Sequence, residues 1–185
     1  MRPRFSVFIA ASLDGFIARA DGGIDWLSIH ALDQEPNGYG EFISSADAIV
    51  IGRGTYETAL GLGDWPYGDK RVIVLTHAIR ASQHGEEFHA GEAARLLPRL
   101  TGCKRVYVDG GNVISQFFAA DLIDDVTVGI LPIVLGGGIR LFPGGEGEHR
   151  LALERHHIYR SGMVQLEYRV QRAGSAGASL PVSAP

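Results

Sequence analysis

The chain has 185 residues, 45% of them hydrophobic, and 17 basic against 21 acidic side chains give a formal net charge of -4. That supplies the core of one domain, with or without a tail, and excludes global disorder. The lack of a basic surplus excludes a broad nucleic-acid footprint but leaves room for a small local patch around one phosphorylated ligand.

Cys103 is the only cysteine. No disulfide can form within the chain, and a cysteine-based zinc site lacks its ligands. The residue reads as a small core hydrophobe. The opening run MRPRFSVFIAASLDG reaches Asp14 too soon for a membrane span or a signal segment and reads as a first strand over 4–10. A cytoplasmic, enzyme-sized domain with no membrane partner is expected.

Residues 38–46 place Tyr39, Phe42, Ile43 and Ala46 at helical spacing. The run 47–52, DAIVIG, is a short apolar strand, and KRVIVLT (70–76) and CKRVYVD (103–109) repeat the pattern. Residues 91–100 read as a helix that Pro98 shortens or kinks. After Gly110-Gly111, VISQFFAADL reads as a further helix. Continuously apolar strands alternating with helices predict an α/β fold whose mostly parallel sheet is covered on both faces.

The final third changes character. DDVTVGILPIVL, LALERHHIYR and MVQLEYRV are strand runs, and Ser161-Gly162 marks a hairpin turn between the last two. The sheet is therefore expected to finish with antiparallel edge strands. The domain is placed at 1–172. The tail 173–185, AGSAGASLPVSAP, has too little apolar bulk to order itself and is expected to be disordered.

Glycine clusters stand at Gly22-Gly23, Gly52 with Gly54, Gly110-Gly111, and Gly136 to Gly138. Any one alone reads as a turn. Two of them sit where a strand meets a helix. The helix after DAIVIG offers free N–H groups and a positive dipole end, with Arg53 as a cation and Thr55 as a hydroxyl. The helix after VYVD repeats this with Gly110, Gly111 and Asn112. Helix starts of this kind bind phosphate, and two at neighbouring strand ends could hold the pyrophosphate and the adenosine 2′-phosphate of one dinucleotide. Neither cluster reads G-x-G-x-x-G, so a Rossmann fingerprint is absent.

In this order the motifs resemble the dihydrofolate-reductase-like superfamily, and within it the C-terminal reductase domain of the bifunctional riboflavin biosynthesis enzyme and its single-domain relatives. Ser12-Leu13-Asp14-Gly15-Phe16-Ile17-Ala18 is similar to the S-L-D-G-x-I-A opening, and Gly52-Arg53-Gly54-Thr55-Tyr56-Glu57 to G-R-x-T-x-E/S. Asp109-Gly110-Gly111 is similar to E-G-G, and Pro132 with Leu135-Gly136-Gly137-Gly138 and Leu141-Phe142 to P-x-x-L-G-x-G-x-x-L-F.

The resemblance implies a three-layer fold with a twisted, mostly parallel sheet, helices on both faces and a C-terminal antiparallel hairpin. It implies NADPH as cofactor and a small heterocyclic substrate. Ala11 and Ile17 match positions that touch the nicotinamide. Arg53, Gly54 and Thr55 match the first phosphate-binding helix start, Thr76 and His77 the strand end near the adenosine 2′-phosphate, and Gly110, Gly111, Asn112, Val113 and Ile114 the pyrophosphate loop. Trp26, after Asp25, resembles the tryptophan near the substrate of dihydrofolate reductases. A homodimer pairing through the C-terminal strands is implied in the same way.

The chain also departs from these families. Counting forward from Trp26, the position of the pterin-holding acid falls on Ala31, with Asp33 two residues late. The lysine that precedes S-L-D-G by four residues in the riboflavin-pathway domain is Phe8, and the glutamate before Gly-Gly is Asp109.

For the chemistry, Asp109 either faces a substrate or caps the following helix. Asp14 orients the loop over the nicotinamide or merely forms the turn before Gly15. Asp25, Trp26 and Asp33 are candidate substrate contacts, with plain core packing the alternative for Trp26. His156 and His157 would point to opposite faces of a strand and cannot chelate together. Asp124-Asp125 reads as a solvated strand start. The expected activity is hydride transfer from NADPH to a C=N or C=O of a pterin-like or ribosylaminopyrimidine-like substrate. The alternative is a nucleotide-binding or interaction protein that keeps the fold without catalysis.

Overall fold

The computed structural model describes residues 2–30, 36–78 and 80–172, without the side chains of Ile29 and His30. Asp33 and the tail at 173–185 lie outside the described residues. In chain order the elements are β1 (Arg4–Ser12), β2 (Phe16–Ala18), α1 (Asp25–His30), α2 (Tyr39–Ser45), β3 (Ala48–Gly52), α3 (Arg53–Gly61), β4 (Arg71–Leu75) and β5 (Glu87–His89). A 3-10 helix (Ala93–Leu100), β6 (Arg105–Asp109), α4 (Gly111–Ala119), β7 (Ile123–Leu131), β8 (Ile139–Arg140), β9 (Arg150–Ile158) and β10 (Val164–Gln171) follow.

In β3 the first four residues are all buried, because both faces of the sheet are covered. Side chains alternate across a strand. Ala48 and Val50 therefore pack with Val113, Ile114 and Phe117 of α4 and with Leu96 and Leu100 of the 3-10 helix. Ile49 and Ile51 pack the opposite way, with Tyr56 and Ala59 of α3 and against Phe42 and Ile43 of α2. The three layers follow from that alternation.

The eight-stranded sheet runs β5-β4-β3-β6-β1-β7-β10-β9. The first six strands are mutually parallel, and β10 lies antiparallel between β7 and β9. The hairpin turn has Gly162 at φ +86°, and the Tyr159 N–H donates to the Met163 carbonyl at 2.9 Å. The run from Asp124 is not an antiparallel edge strand: β7 pairs in parallel with β1 over nearly its whole length. Only the hairpin supplies antiparallel pairs to this sheet.

Three details differ from the sequence reading. Within 91–100 only Ala93–Leu100 is helical, and it is a 3-10 helix, since Pro98 lies inside it and cannot donate to a regular ladder. Short β2, α1, β5 and β8 carry too few residues to show a period. Asp124 and Asp125 are not free solvated carboxylates: Asp124 pairs with Arg2 at 2.5 Å and Arg172 at 2.9 Å, and Asp125 with Arg4 at 2.5 Å. These pairs tie the start of β1 to β7. Among the described residues no helix is long and apolar enough to cross a membrane.

Candidate functional site

Parallel strands end together, so whatever follows them gathers along one edge of the sheet. Gly52 ends β3 opposite Leu75 of β4, and Ile51 pairs with Asp109 at the end of β6. An open cleft of about 870 Å³ lies along this edge, reaching from Thr76 and His77 past the starts of α3 and α4 to Ile9 and Ala10.

The two helix starts are side by side. Gly52 is the N-cap of α3 and Gly110 that of α4, and neither first turn is capped by a side chain. Their N–H donors are thus left for a ligand. The loops interlock: a Cβ on Gly110 would stand 2.5 Å from the Thr55 hydroxyl oxygen, and one on Gly52 would stand 3.1 Å from a Val113 methyl. Gly110 also holds φ +90°, so only glycine fits there without strain. Gly111 and Gly138 serve chain packing, since a Cβ on them would meet the Arg140 carbonyl at 2.3 Å and the Ala18 carbonyl at 2.2 Å. Arg53 is exposed, lines the cleft, and has no ion-pair partner among the described residues. A cation at a helix N-terminus is opposed by the helix dipole, which an anionic ligand would reverse.

Asp109 lines this cleft and is half-buried. It does not cap α4. Its carboxylate accepts from the adjacent Gly110 N–H at 2.8 Å, and the N-cap is Gly110 itself. Burial pushes its carboxyl up to about 6, against the opposing pull of the Gly110 N–H and Tyr107. Three phenols surround it. Tyr39 is pushed up to about 12 by burial and by the charge of Asp109. Tyr67 and Tyr107 are raised by the same two causes. The Tyr107 hydroxyl donates to the Phe8 carbonyl at 3.0 Å, and Phe8 packs edge-on against Tyr39 with ring centroids 5.5 Å apart. A carboxyl that titrates near 6 can hold or release a proton at neutral pH.

Of the expected cofactor residues, Ile17, Arg53, Gly54, Thr55, Thr76, His77, Gly110, Gly111, Asn112 and Val113 line the cleft. Ala11 and Ile114 do not: both are buried in the core shared with α4. Their neighbours Ala10 and Val113 face the cleft instead.

The expected catalytic and substrate residues divide differently. Asp14 does not line the cleft. Its carboxylate accepts from the Ser12 hydroxyl at 2.6 Å and from the Leu135 and Gly136 N–H groups at 3.0 and 2.8 Å, pinning that loop to the β1–β2 turn. These bonds, the one from Ser12 foremost, hold its carboxyl down at about 2. Asp25 is exposed and paired with Arg19 at 2.7 Å. Trp26 is fully buried, with its indole N–H unpartnered. The flanking Ile24 and Leu27 are the cleft residues of this segment.

Sequence reasoning missed the phenols. The alternation in VYVD places Tyr107 on the same face as Asp109 and could have revealed it. Tyr39 and Tyr67 reach Asp109 only through the fold.

The RibD C-terminal domain family model matches residues 3–165. The chain is 34% identical over 173 residues to YwjB of Bacillus subtilis (strain 168), an uncharacterized protein, covering 91% of this chain and 98% of that one. A crystal structure of a Shewanella sp. PV-4 protein assigned to riboflavin biosynthesis superposes with a TM-score of 0.82 at 31% identity, covering 93% of this chain and 100% of that one. The dihydrofolate reductase of Enterococcus faecalis, solved with NADP(H), shares the fold at a TM-score of 0.66 and 17% identity, covering 91% and 97% of the two chains. The chain belongs to the RibD C-terminal domain family.

Proposed function

We propose that the chain is an NADPH-dependent reductase acting on a C=N or C=O of a pterin-like or ribosylaminopyrimidine-like heterocycle. One observation carries this reading: two uncapped helix starts and Arg53, which has no ion-pair partner among the described residues, open on the same cleft as the half-buried Asp109. Membership of the RibD C-terminal domain family, and the fold shared with a dihydrofolate reductase solved with NADP(H), support it.

The residues present fit the dinucleotide. The first turns of α3 and α4 would hold its phosphates, Arg53 the charge of the extra phosphate, and Ile17 with Ala10 would pack at the far end, where the ring belongs. When bound, NADPH supplies the hydride and leaves as NADP⁺. The chain must orient the acceptor carbon and deliver one proton to the neighbouring heteroatom. Asp109 would make that delivery: its carboxyl, raised to about 6, would give up its proton as the acceptor is reduced and regain it from solvent.

Titration with NADPH followed by turnover on a panel of pterins and aminopyrimidines tests the reading. Binding of NADPH and loss of the reduced nicotinamide absorbance are expected. Failure to bind NADPH or NADH at high micromolar concentration overturns it.

A further inference from the structure

The Tyr107 hydroxyl stands between two acceptors. Tyr107 and Asp109 share one face of β6, two residues apart, and both line the cleft. The last β1–β6 pair is Ser6 with Tyr107. Two residues further along β1 the Tyr107 side chain takes over from the ladder, and its hydroxyl donates to the Phe8 carbonyl at 3.0 Å. The same hydroxyl reaches the Asp109 carboxyl and favours its charged form.

A phenol has one proton to donate. With Asp109 protonated, both acceptors are neutral, and the Phe8 carbonyl holds the hydroxyl. With Asp109 ionised, a charged acceptor competes with a neutral one, and a charge-assisted bond is roughly twice as strong. One Asp109 oxygen already accepts the Gly110 N–H at 2.8 Å, which leaves the other for Tyr107. The half-buried carboxylate needs that donor, because burial opposes its charge. Among the described residues, Tyr39 from α2 and Tyr67 from the loop after α3 also face it. Both are raised, chiefly by burial, and stay neutral as it titrates. Arg53 at the α3 start and His77 after β4 are the basic groups on the same cleft lining.

We propose that the Tyr107 hydroxyl is a two-position donor: it rests on the Phe8 carbonyl while Asp109 holds a proton and turns to Asp109 when that proton leaves. The hydroxyl keeps its own proton throughout. Its use in catalysis rests on the reductase reading, in which Tyr107 is a positioning residue. It closes on the Asp109 carboxylate as the proton passes to the acceptor, and it returns to Phe8 when solvent reloads the acid.

Carbon-13 NMR titration of the full chain without ligand, from about pH 4 to about pH 8, tests the turn directly. The Phe8 carbonyl and Asp109 carboxyl signals are expected to move through one midpoint, and Asp109→Asn to hold the Phe8 signal still. A Phe8 signal that stays put while Asp109 titrates overturns the proposal. Tyr107→Phe is expected to raise the Asp109 midpoint by about one pH unit. Tyr39→Phe keeps the Tyr107 hydroxyl and is expected to move it less. No rise in Tyr107→Phe, or an equal rise in both variants, also overturns the proposal. Turnover reads the catalytic use separately. The alkaline limb of kcat is expected to move up with the Asp109 midpoint in Tyr107→Phe, with NADPH affinity kept, and an unmoved limb overturns the positioning role. Coupled NMR signals without NADPH turnover keep the two-position donor and sink the reductase; turnover with an unmoved Phe8 signal does the reverse.

Discussion

Gly110 and Thr55 meet where two strand–helix junctions cross, and a Cβ added to Gly110 would lie 2.5 Å from the Thr55 hydroxyl oxygen. The contact locks the start of α4 against the start of α3, so the two sets of free N–H donors face one cleft.

Gly110→Ala must both hold φ +90° and displace Thr55. A loss of about 1–3 kcal/mol in stability is expected. Adding Thr55→Ala should recover the part due to the clash and leave the part due to the backbone. Denaturation midpoints of the single and double variants check this.

Arg53→Ala should leave stability nearly unchanged, since the side chain is exposed and has no ion pair among the described residues. NADPH affinity should fall by about tenfold or more, and NADH affinity less, because a charged hydrogen bond of about 1.5–3 kcal/mol to the extra phosphate is lost. Equal weakening of both cofactors would refute the placement of Arg53.

Asp109 makes stability depend on pH in a definite direction. Burial raises its folded carboxyl from 3.8 to about 6. Below about pH 4 both states are protonated and no penalty exists. As pH rises from there to about 6 the unfolded chain ionises first, so stability falls, by up to about 3 kcal/mol. Asp109→Asn should abolish that fall. It should also lower kcat about 100-fold or more with NADPH affinity retained, if the carboxyl delivers the proton. Unfolding curves across this range, with cofactor titrations, read both effects.

Asp14 has the opposite sign. Its carboxyl is held down from 3.8 to about 2, chiefly by Ser12 and then by the Leu135 and Gly136 N–H groups. Its contribution is present above about pH 4 and is lost as pH falls through about 2. Asp14→Ala should lower the melting temperature and expose the 133–138 loop to proteolysis, without moving the pH profile set by Asp109. Limited proteolysis and thermal melts decide it.

Much of this molecule was legible in its residues. Four apolar strand runs, each bounded by glycine or a charge, announced a parallel sheet covered on both faces, because only a strand buried on both sides stays apolar throughout. The two strand–glycine–helix junctions announced anion sites, because the donors at a helix start are fixed by the backbone and not by distant contacts.

The tertiary structure decided what local pattern does not encode. Asp14 and Asp109 are both acids beside glycine. One became a loop pin because Leu135 and Gly136 reach it from more than a hundred residues away. The other became a half-buried carboxyl held above its ordinary range, on a cleft wall it shares with Tyr39 and Tyr67, brought by α2 and the loop after α3. Trp26 went wholly into the core while its neighbours Ile24 and Leu27 took the cleft. Period and turn chemistry act between near neighbours and set the frame. Burial and charge act through space, so which of two acids beside glycine becomes a loop pin and which a raised carboxyl in the cleft is fixed only when distant segments pack together.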